Sequence, residues 1–158
     1  MSVGLEAFRS QELVPVLLVE DNYSDVLLIQ RAFRQANVDP PISIVDNGDE
    51  AIAYLSRQGK YADCQQYLFP VLILLDLKLP RRSGLEVLAW IRQQPELRRL
   101  LVVVLTSSQE NSDLSKAYDL GANSYLVKPI DFNDFVNMIK LIDAYWFKLN
   151  QRADLSIN

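Results

Sequence analysis

The sequence predicts one doubly wound α/β domain built on a five-stranded parallel sheet, and three observations lead to this prediction. Short apolar runs recur along the chain, amphipathic helical stripes separate them, and polar side chains follow the carboxyl ends of the runs. Runs that are apolar on both faces are typical of strands covered by helices on both sides of a parallel sheet. With 158 residues and 49% hydrophobic composition, the chain suffices for one sizeable core and is too short for two ordinary domains.

The strands are predicted from leucine-rich or β-branched segments. Four of these segments are clear, at residues 16–19, 71–75, 100–105 and 125–127, and a weaker one lies at residues 42–45. None alternates regularly between apolar and polar residues, so neither face of these strands is expected to meet water.

The helices are predicted from apolar stripes that recur between the strands with a period near 3.6 residues. The stripes are Leu28, Ile29, Ala32, Phe33 and Ala36; Ala51, Ile52 and Leu55; Val87, Leu88 and Ile91; Leu114, Ala117 and Tyr118; and Phe135, Met138, Ile139, Ile142 and Trp146. The chain therefore consists of five βα units, and right-handed crossovers favour the flavodoxin-like strand order 2-1-3-4-5.

The remaining segments set the expected domain limits. We expect residues 1–13 to form an N-terminal arm, residues 14–150 the folded domain and residues 151–158 a C-terminal tail, with no room for an output domain. The connection 57–70 exceeds the usual α/β loop length of about 2–6 residues. It carries three aromatic residues, so we expect it to pack on the surface or to extend the second helix.

The composition excludes several classes of protein. A net charge of −4 without a long basic run argues against a nucleic-acid-binding protein. One cysteine, Cys64, and no histidine leave no disulfide and no zinc site. No apolar run approaches the roughly 20 residues that span a bilayer, and no signal pattern opens the chain, so we expect a cytoplasmic protein without a membrane partner.

Chemically useful side chains follow the strands at their carboxyl ends, which is where ligands bind in open parallel sheets. Glu20 and Asp21 follow the first strand, Asp76 the third, Thr106 ends the fourth, and Lys128 follows the fifth. Carboxylates brought together there repel one another and raise at least one pKa, which a bound divalent cation reverses. One or two carboxylates with open water positions suit Mg²⁺, and a strand-end carboxylate can serve as a nucleophile in phosphoryl transfer.

Each of these residues alone also has a structural interpretation. Glu20 or Asp21 can occupy the first turn of the next helix, Asp76 can begin a turn, Thr106 suits a strand, and a lone Lys128 is usually a solvated surface charge. The site hypothesis depends on all of them lying at the same edge of the sheet.

The motifs around these residues resemble the receiver (response regulator) domains of two-component signalling, over about residues 14–147. The matching segments are Leu18-Val19-Glu20-Asp21-Asn22; Leu75-Asp76-Leu77-Lys78-Leu79-Pro80 with Gly84; Val104-Leu105-Thr106-Ser107-Ser108; Gly121-Ala122-Asn123; and Tyr125-Leu126-Val127-Lys128-Pro129.

The resemblance implies a phosphoacceptor and a metal site. Asp76 matches the residue that accepts a phosphoryl group, and Glu20 with Asp21 matches the acidic pair that holds Mg²⁺. The ion is then also bound by Asp76 and by the backbone carbonyl oxygen of Lys78. A protein of this family is not a conventional enzyme, because it catalyses only its own phosphorylation and dephosphorylation.

The resemblance also implies a conformational switch. Lys128 matches the family's lysine, Thr106 its switch hydroxyl and Tyr125 its switch aromatic, and the Lys128-Pro129 peptide is expected to be cis. In the family, the hydroxyl moves toward the phosphoryl group and the aromatic ring turns inward, which remodels the face formed by the fourth helix, fifth strand and fifth helix.

The end of the chain carries three consecutive aromatic residues, Tyr145, Trp146 and Phe147, on an extended fifth helix. Consecutive helical residues are about 100° apart, so at least one ring faces outward. We expect a homodimer through this helix and the switch face. The length and this ending resemble the small response regulators that partner cyanobacterial phytochromes, which implies a phytochrome-like sensor histidine kinase as phosphodonor and leaves the downstream target unknown.

Other functions remain as alternatives. A haloacid dehalogenase-type phosphohydrolase also uses a strand-end aspartate with Mg²⁺, but it requires a second aspartate where this chain has Lys78. A flavodoxin-type electron carrier needs a phosphate-binding loop after the first strand, where Asp21 and Asp25 would repel the flavin phosphate. A receiver-like dimerisation module that is never phosphorylated is the third alternative.

Overall fold

Strands and helices alternate along the chain in a computed structural model that describes residues 14–155. The five strands described are β1 (Val16–Val19), β2 (Ile42–Val45), β3 (Leu72–Leu75), β4 (Leu101–Thr106) and β5 (Ser124–Val127). The α-helices described are α1 (Tyr23–Gln35), α2 (Gly48–Leu55), α3 (Gly84–Gln93), α4 (Asn111–Asp119) and α5 (Phe132–Ile142). The predicted arm, residues 1–13, and residues 156–158 of the predicted tail lie outside the described residues, so the predicted domain limits stay a prediction.

The five strands form one parallel sheet in the order β2-β1-β3-β4-β5, which confirms the predicted fold. The register places Val19 of β1 opposite Leu75 of β3, and Leu75 opposite Val104 of β4. Residues that directly follow β1 and β3 therefore emerge side by side at the carboxyl edge of the sheet.

The core has two layers, one on each face of the sheet. One layer packs β1, β3 and β4 against α1 and α5, and the other packs them against α2 and α3. The expectation that both strand faces are buried is correct for β1 and β3 and for nearly all of β4, but β2 and β5 are largely half-buried. The reason is that β2 and β5 are edge strands, each of which has a strand neighbour on one side only.

The long connection 57–70 packs onto the domain and does not extend α2, which ends at Leu55. It contains a 3₁₀ turn (Gly59–Ala62) and brings Tyr61 and Tyr67 against Tyr54 of α2, with ring centroids 5.0 to 6.0 Å apart. The Tyr54 hydroxyl donates to the Leu68 carbonyl oxygen at 2.6 Å. Of the two alternatives for this segment, the structure supports surface packing.

The fifth helix continues beyond Ile142, as expected, but with wider turns. Residues Asp143–Leu149 form a π-helix, in which the Asn150 N–H donates to the Tyr145 carbonyl oxygen at 2.7 Å. No helix within residues 14–155 is long and apolar enough to cross a bilayer.

Candidate functional site

Asp76 lies directly after β3, where the sheet opens at its carboxyl edge. Its backbone N–H donates to the Val19 carbonyl oxygen at 3.1 Å, and the residue is 6% exposed. One carboxylate oxygen accepts from the Thr106 hydroxyl at 2.8 Å and from the Lys78 N–H at 3.2 Å. The other oxygen accepts from the Lys128 ammonium at 3.0 Å. The strand-end residues predicted to meet do meet.

Lys128 is surrounded by carboxylates. Its ammonium, on a side chain that is 10% exposed, donates to Asp76, to Asp25 at 2.8 Å and to Glu20 through an even closer contact. Glu20 is 1% exposed and also accepts from the Asn22 N–H at 3.1 Å. The three acids come from the ends of β1 and β3 and from the first turn of α1, so one lysine links three elements.

The burial of this cluster perturbs its protonation. Burial raises the pKa of Glu20 to about 7, against the lowering effect of the Lys128 hydrogen bond, and the nearby Asp76 charge adds to the rise. Burial alone would raise the pKa of Asp76, but hydrogen bonds and the charge of Lys128 hold that pKa below its usual value. Burial would likewise lower the pKa of Lys128, and its carboxylate partners raise it instead. The Asp76 carboxyl group is therefore ionised at neutral pH.

The acidic side chains fit a divalent metal ion. One ligand atom from each of Glu20, Asp21 and Asp76 lies within 4.8 Å of the others, and Asp21 is exposed to solvent. When all are ionised, the four carboxylates, these three and Asp25, carry −4 against the +1 of Lys128, which leaves −3 in the site. A hard dication with oxygen ligands compensates such an excess.

The start of α3 packs closely against the backbone that follows β3. The Gly84 N–H donates to the Leu77 carbonyl oxygen at 3.0 Å, and the Ser83 hydroxyl caps the helix by accepting from the Glu86 N–H at 3.2 Å. A Cβ atom at residue 84 would lie 2.2 Å from the Asp76 carbonyl oxygen. Only glycine at residue 84 lets the helix approach the backbone of Asp76 this closely.

A second set of contacts joins Lys78, Asp113, Ser108 and Tyr125. The Lys78 ammonium is 3.5 Å from an Asp113 carboxylate oxygen, which also accepts from the Ser108 hydroxyl at 2.6 Å. The Tyr125 hydroxyl donates to the Ser108 carbonyl oxygen at 3.0 Å. The Ser108 hydrogen bond, opposed in part by burial and aided by Lys78, lowers the pKa of Asp113.

One expectation about the backbone is wrong. No cis peptide bond occurs among the described residues, so the Lys128-Pro129 bond is trans. The trans form is the lower-energy form before proline by about 0.5–1 kcal/mol, and with it the Lys128 side chain already reaches its carboxylates.

Residues 16–140 match the family described as the response regulator receiver domain. The chain belongs to this family. Asp76, the residue predicted to accept a phosphoryl group, directly follows β3 in the sheet order found above.

One relative of this receiver also has a solved metal-bound structure. Response regulator Rcp1 of Synechocystis sp. is 40% identical over 84% of this chain and 88% of its own. A crystal structure of Rcp1 in its Mn²⁺-bound form covers 89% of this chain and 99% of its own, with a TM-score of 0.78.

Two other relatives extend the comparison. A crystal structure of the phosphorylated cyanobacterial phytochrome response regulator RcpA is 38% identical, with a TM-score of 0.82, over 90% of this chain and 99% of its own. The probable methanogenesis regulatory protein FilR2 of Methanothrix harundinacea is 37% identical over 96% of this chain and 97% of its own.

Two residues of the site were not found from the sequence. Asp25 and Asp113 each lie in the first turn of a helix, where an acidic residue ordinarily interacts with the helix dipole. The sequence spacing did not indicate that Asp113 would contact Lys78, or that Asp25 would contact Lys128. Their roles come from contacts with Lys78 and Lys128 in distant segments.

Proposed function

We propose that this receiver accepts a phosphoryl group on Asp76 in the presence of Mg²⁺. The observation that supports this most strongly is the arrangement around the Asp76 carboxylate. An ionised nucleophile lies between a hydroxyl, Thr106, and an ammonium, Lys128, and beside the acidic pair Glu20 and Asp21. Phosphoryl transfer depends mainly on such positioning and charge compensation.

The proposed donor is a phosphohistidine of a sensor histidine kinase. An Asp76 oxygen attacks phosphorus, the P–N bond breaks, and the electron pair returns to the histidine nitrogen, which takes a proton from solvent. Glu20, Asp21 and Asp76, with the Lys78 carbonyl oxygen, would hold Mg²⁺. When bound, the ion compensates negative charge on the phosphoryl oxygens.

Thr106 and Lys128 take part in the transfer through the contacts that they already make. Both side chains now bind the Asp76 carboxylate, and each can bind a phosphoryl oxygen that is attached to it. Thr106 and Tyr125 are the proposed switch residues, and α4, β5 and α5 the proposed output face. The protein would act on no substrate other than its own Asp76, and a cytoplasmic location stays a prediction.

A phytochrome-like sensor kinase is the proposed partner. RcpA supports this partner, because it is a phytochrome response regulator and is similar to this chain over 99% of its length. FilR2 matches more of this chain, 96% against 90% for RcpA, and carries a different regulatory name. The kinase must therefore be identified by transfer assays against phytochrome and non-phytochrome kinases.

The proposed homodimer uses the apolar groove between β5 and the end of α5. Leu126, Met138 and Leu141 line this groove together with Tyr145 and Trp146. Tyr145 is 52% exposed and its ring meets Trp146 edge to face at 4.8 Å.

Phe147 is buried in the core of its own chain, so the proposed interface relies on Tyr145 and Trp146. Sedimentation of the unphosphorylated and phosphorylated protein tests the dimer. Tyr145→Ala is expected to weaken association, whereas Tyr23→Ala, which removes an exposed tyrosine on α1, is not. A monomer at micromolar concentration in both states would refute this interface.

Mass spectrometry tests the acceptor directly. Incubation with Mg²⁺ and acetyl phosphate is expected to add about 80 Da to the wild type and nothing to Asp76→Asn. Asp119→Asn, an exposed acid on α4, is the matched control and is expected to be modified like the wild type. If neither acetyl phosphate nor a phosphorylated kinase modifies the wild type, the chain is an unphosphorylated interaction module.

A further inference from the structure

Close to Asp76, the side chain of Asp113 contacts two others, those of Lys78 and Ser108. Lys78 lies two residues after Asp76 and donates its N–H to the Asp76 carboxylate, so the backbone of Lys78 is fixed beside the acceptor. Its side chain is 63% exposed, and its ammonium is 3.5 Å from Asp113. Lys78 therefore carries a largely exposed ammonium on a backbone that is hydrogen-bonded to Asp76.

Asp113 is held more firmly than Lys78. Its side chain is 14% exposed and lies on α4, and the Ser108 hydroxyl donates to the same carboxylate oxygen that faces Lys78, at 2.6 Å. Ser108 is itself anchored, because its N–H donates to the Thr106 hydroxyl oxygen at 3.4 Å and its carbonyl accepts from Tyr125 at 3.0 Å. The largely buried, hydrogen-bonded carboxylate of Asp113 thus pairs with the largely exposed ammonium of Lys78.

We propose that Asp113 is a positioning residue that draws the Lys78 ammonium away from Asp76 and thereby shortens the life of a phosphoryl group there. This inference rests on the proposed function of Asp76. Among the described contacts, Asp113 reaches neither Asp76 nor the carboxylates of Glu20 and Asp21, and its ion pair is with the side chain of Lys78, whose backbone carbonyl is the proposed metal ligand.

The Lys78 ammonium is attracted both by Asp113 and by a phosphoryl group on Asp76. An acyl phosphate at Asp76 carries about −1.5 to −2 of charge where the ionised carboxylate carried about −1, so the Lys78 ammonium then has two anions within the reach of its side chain. Loss of the group is hydrolysis: water attacks phosphorus, the P–O bond to Asp76 breaks, and the carboxylate, inorganic phosphate and a proton are released. An ammonium bound to the phosphoryl oxygens occupies the open side by which water enters. When the Lys78 ammonium pairs with Asp113 instead, water can approach the phosphoryl group.

The test compares the half-life of phosphorylated Asp76 in variants at saturating Mg²⁺. Asp113→Asn keeps an acceptor for Ser108 and removes the charge that attracts Lys78. Since ion pairs with exposed lysines are weak, we expect this variant to slow hydrolysis by about two- to fivefold. Lys78→Met should speed hydrolysis. In the Lys78→Met background, Asp113→Asn should have no further effect, because the cation through which it acts is gone.

Controls separate this role from a general structural one. Asp119→Asn removes an exposed acid from the same helix and should leave the half-life unchanged. The melting temperature of each variant shows whether the fold is intact, and the Lys78→Met result stands even if Asp113→Asn does not fold.

Each outcome is decisive. An unchanged or shortened half-life in Asp113→Asn overturns the proposal, and so does an equal slowing with Lys78→Met present or an unchanged half-life in Lys78→Met alone. Failure of the wild type to take up any phosphoryl group would instead overturn the proposed function of Asp76.

Discussion

Replacing Lys128 by methionine removes the one cation that three carboxylates share, while the length of the side chain is kept. The ammonium contacts Glu20, Asp25 and Asp76, and Glu20 and Asp76 have side chains that are only 1% and 7% exposed. Loss of one partner of a buried ion pair costs about 3–5 kcal/mol, because uncompensated charge remains. Glu20, whose pKa is already about 7, can take up a proton and relieve part of this cost.

We therefore expect Lys128→Met to lower the free energy of unfolding by about 3 kcal/mol at about pH 8 without divalent metal. For a chain of this length each kcal/mol changes the melting temperature by about 2–4 °C, so the expected decrease is about 6–12 °C. Thermal unfolding followed by circular dichroism measures it. Saturating Mg²⁺ should restore at least half of the loss, because positive charge returns to the same carboxylates.

The matched control is Lys140→Met, which removes an exposed lysine from α5 and should change stability by less than about 0.5 kcal/mol. The reasoning would be refuted if Lys128→Met melted within about 1 °C of the wild type without metal, which is well below the shift expected for a buried pair. It would also be refuted if Mg²⁺ stabilised the variant no more than it stabilises the wild type.

Other perturbations address the remaining contacts of the site and the core. The raised pKa of Glu20, about 7, predicts that the affinity for Mg²⁺ falls as the pH is lowered through 7, because the ion must then displace a proton. Titration calorimetry on either side of that pH checks this, and equal affinities would contradict it. Gly84→Ala should destabilise the fold by about 1–3 kcal/mol and slow phosphorylation, because the added Cβ meets the Asp76 backbone. Urea unfolding measures the stability, and a time course of phosphorylation measures the rate. Wild-type values in both would be inconsistent with the close contact. Tyr61→Phe should cost about 1 kcal/mol in urea unfolding, because the hydroxyl hydrogen bond to Glu50 is lost; a change below about 0.3 kcal/mol would show that water replaces this bond.

Much of the fold was accessible from the sequence because the inner strands are signalled locally. The segment that forms β3 is apolar throughout and is followed by Asp76. The burial of this strand and the position of Asp76 at its end could therefore both be predicted. The strand limits differ by one residue at β3, β4 and β5, because hydrogen bonding to a neighbour, which the run itself does not show, decides where a strand begins.

Other elements could not be predicted, since their conformation depends on distant contacts. The segment 57–70 offered two alternatives, and the packing of Tyr61 and Tyr67 on Tyr54 decided between them. The aromatic residues after Ile142 predicted a continued helix, but not the π geometry, in which Lys148 lies 3.0 Å from Asp143.

By itself, the sequence determined the parallel α/β architecture and the strand-end positions of Asp76, Glu20 and Lys128, because apolar period and strand ends are local properties of the chain. Only the tertiary structure decided which charges meet. Asp25 is separated from Lys128 by 103 residues and resembles any acidic residue in a first helical turn, until the fold brings the ammonium to it. Asp113 is in the same position relative to Lys78. The physical reason is that a charge interacts with whatever lies within a few ångströms, and the sequence specifies those neighbours only through the completed fold.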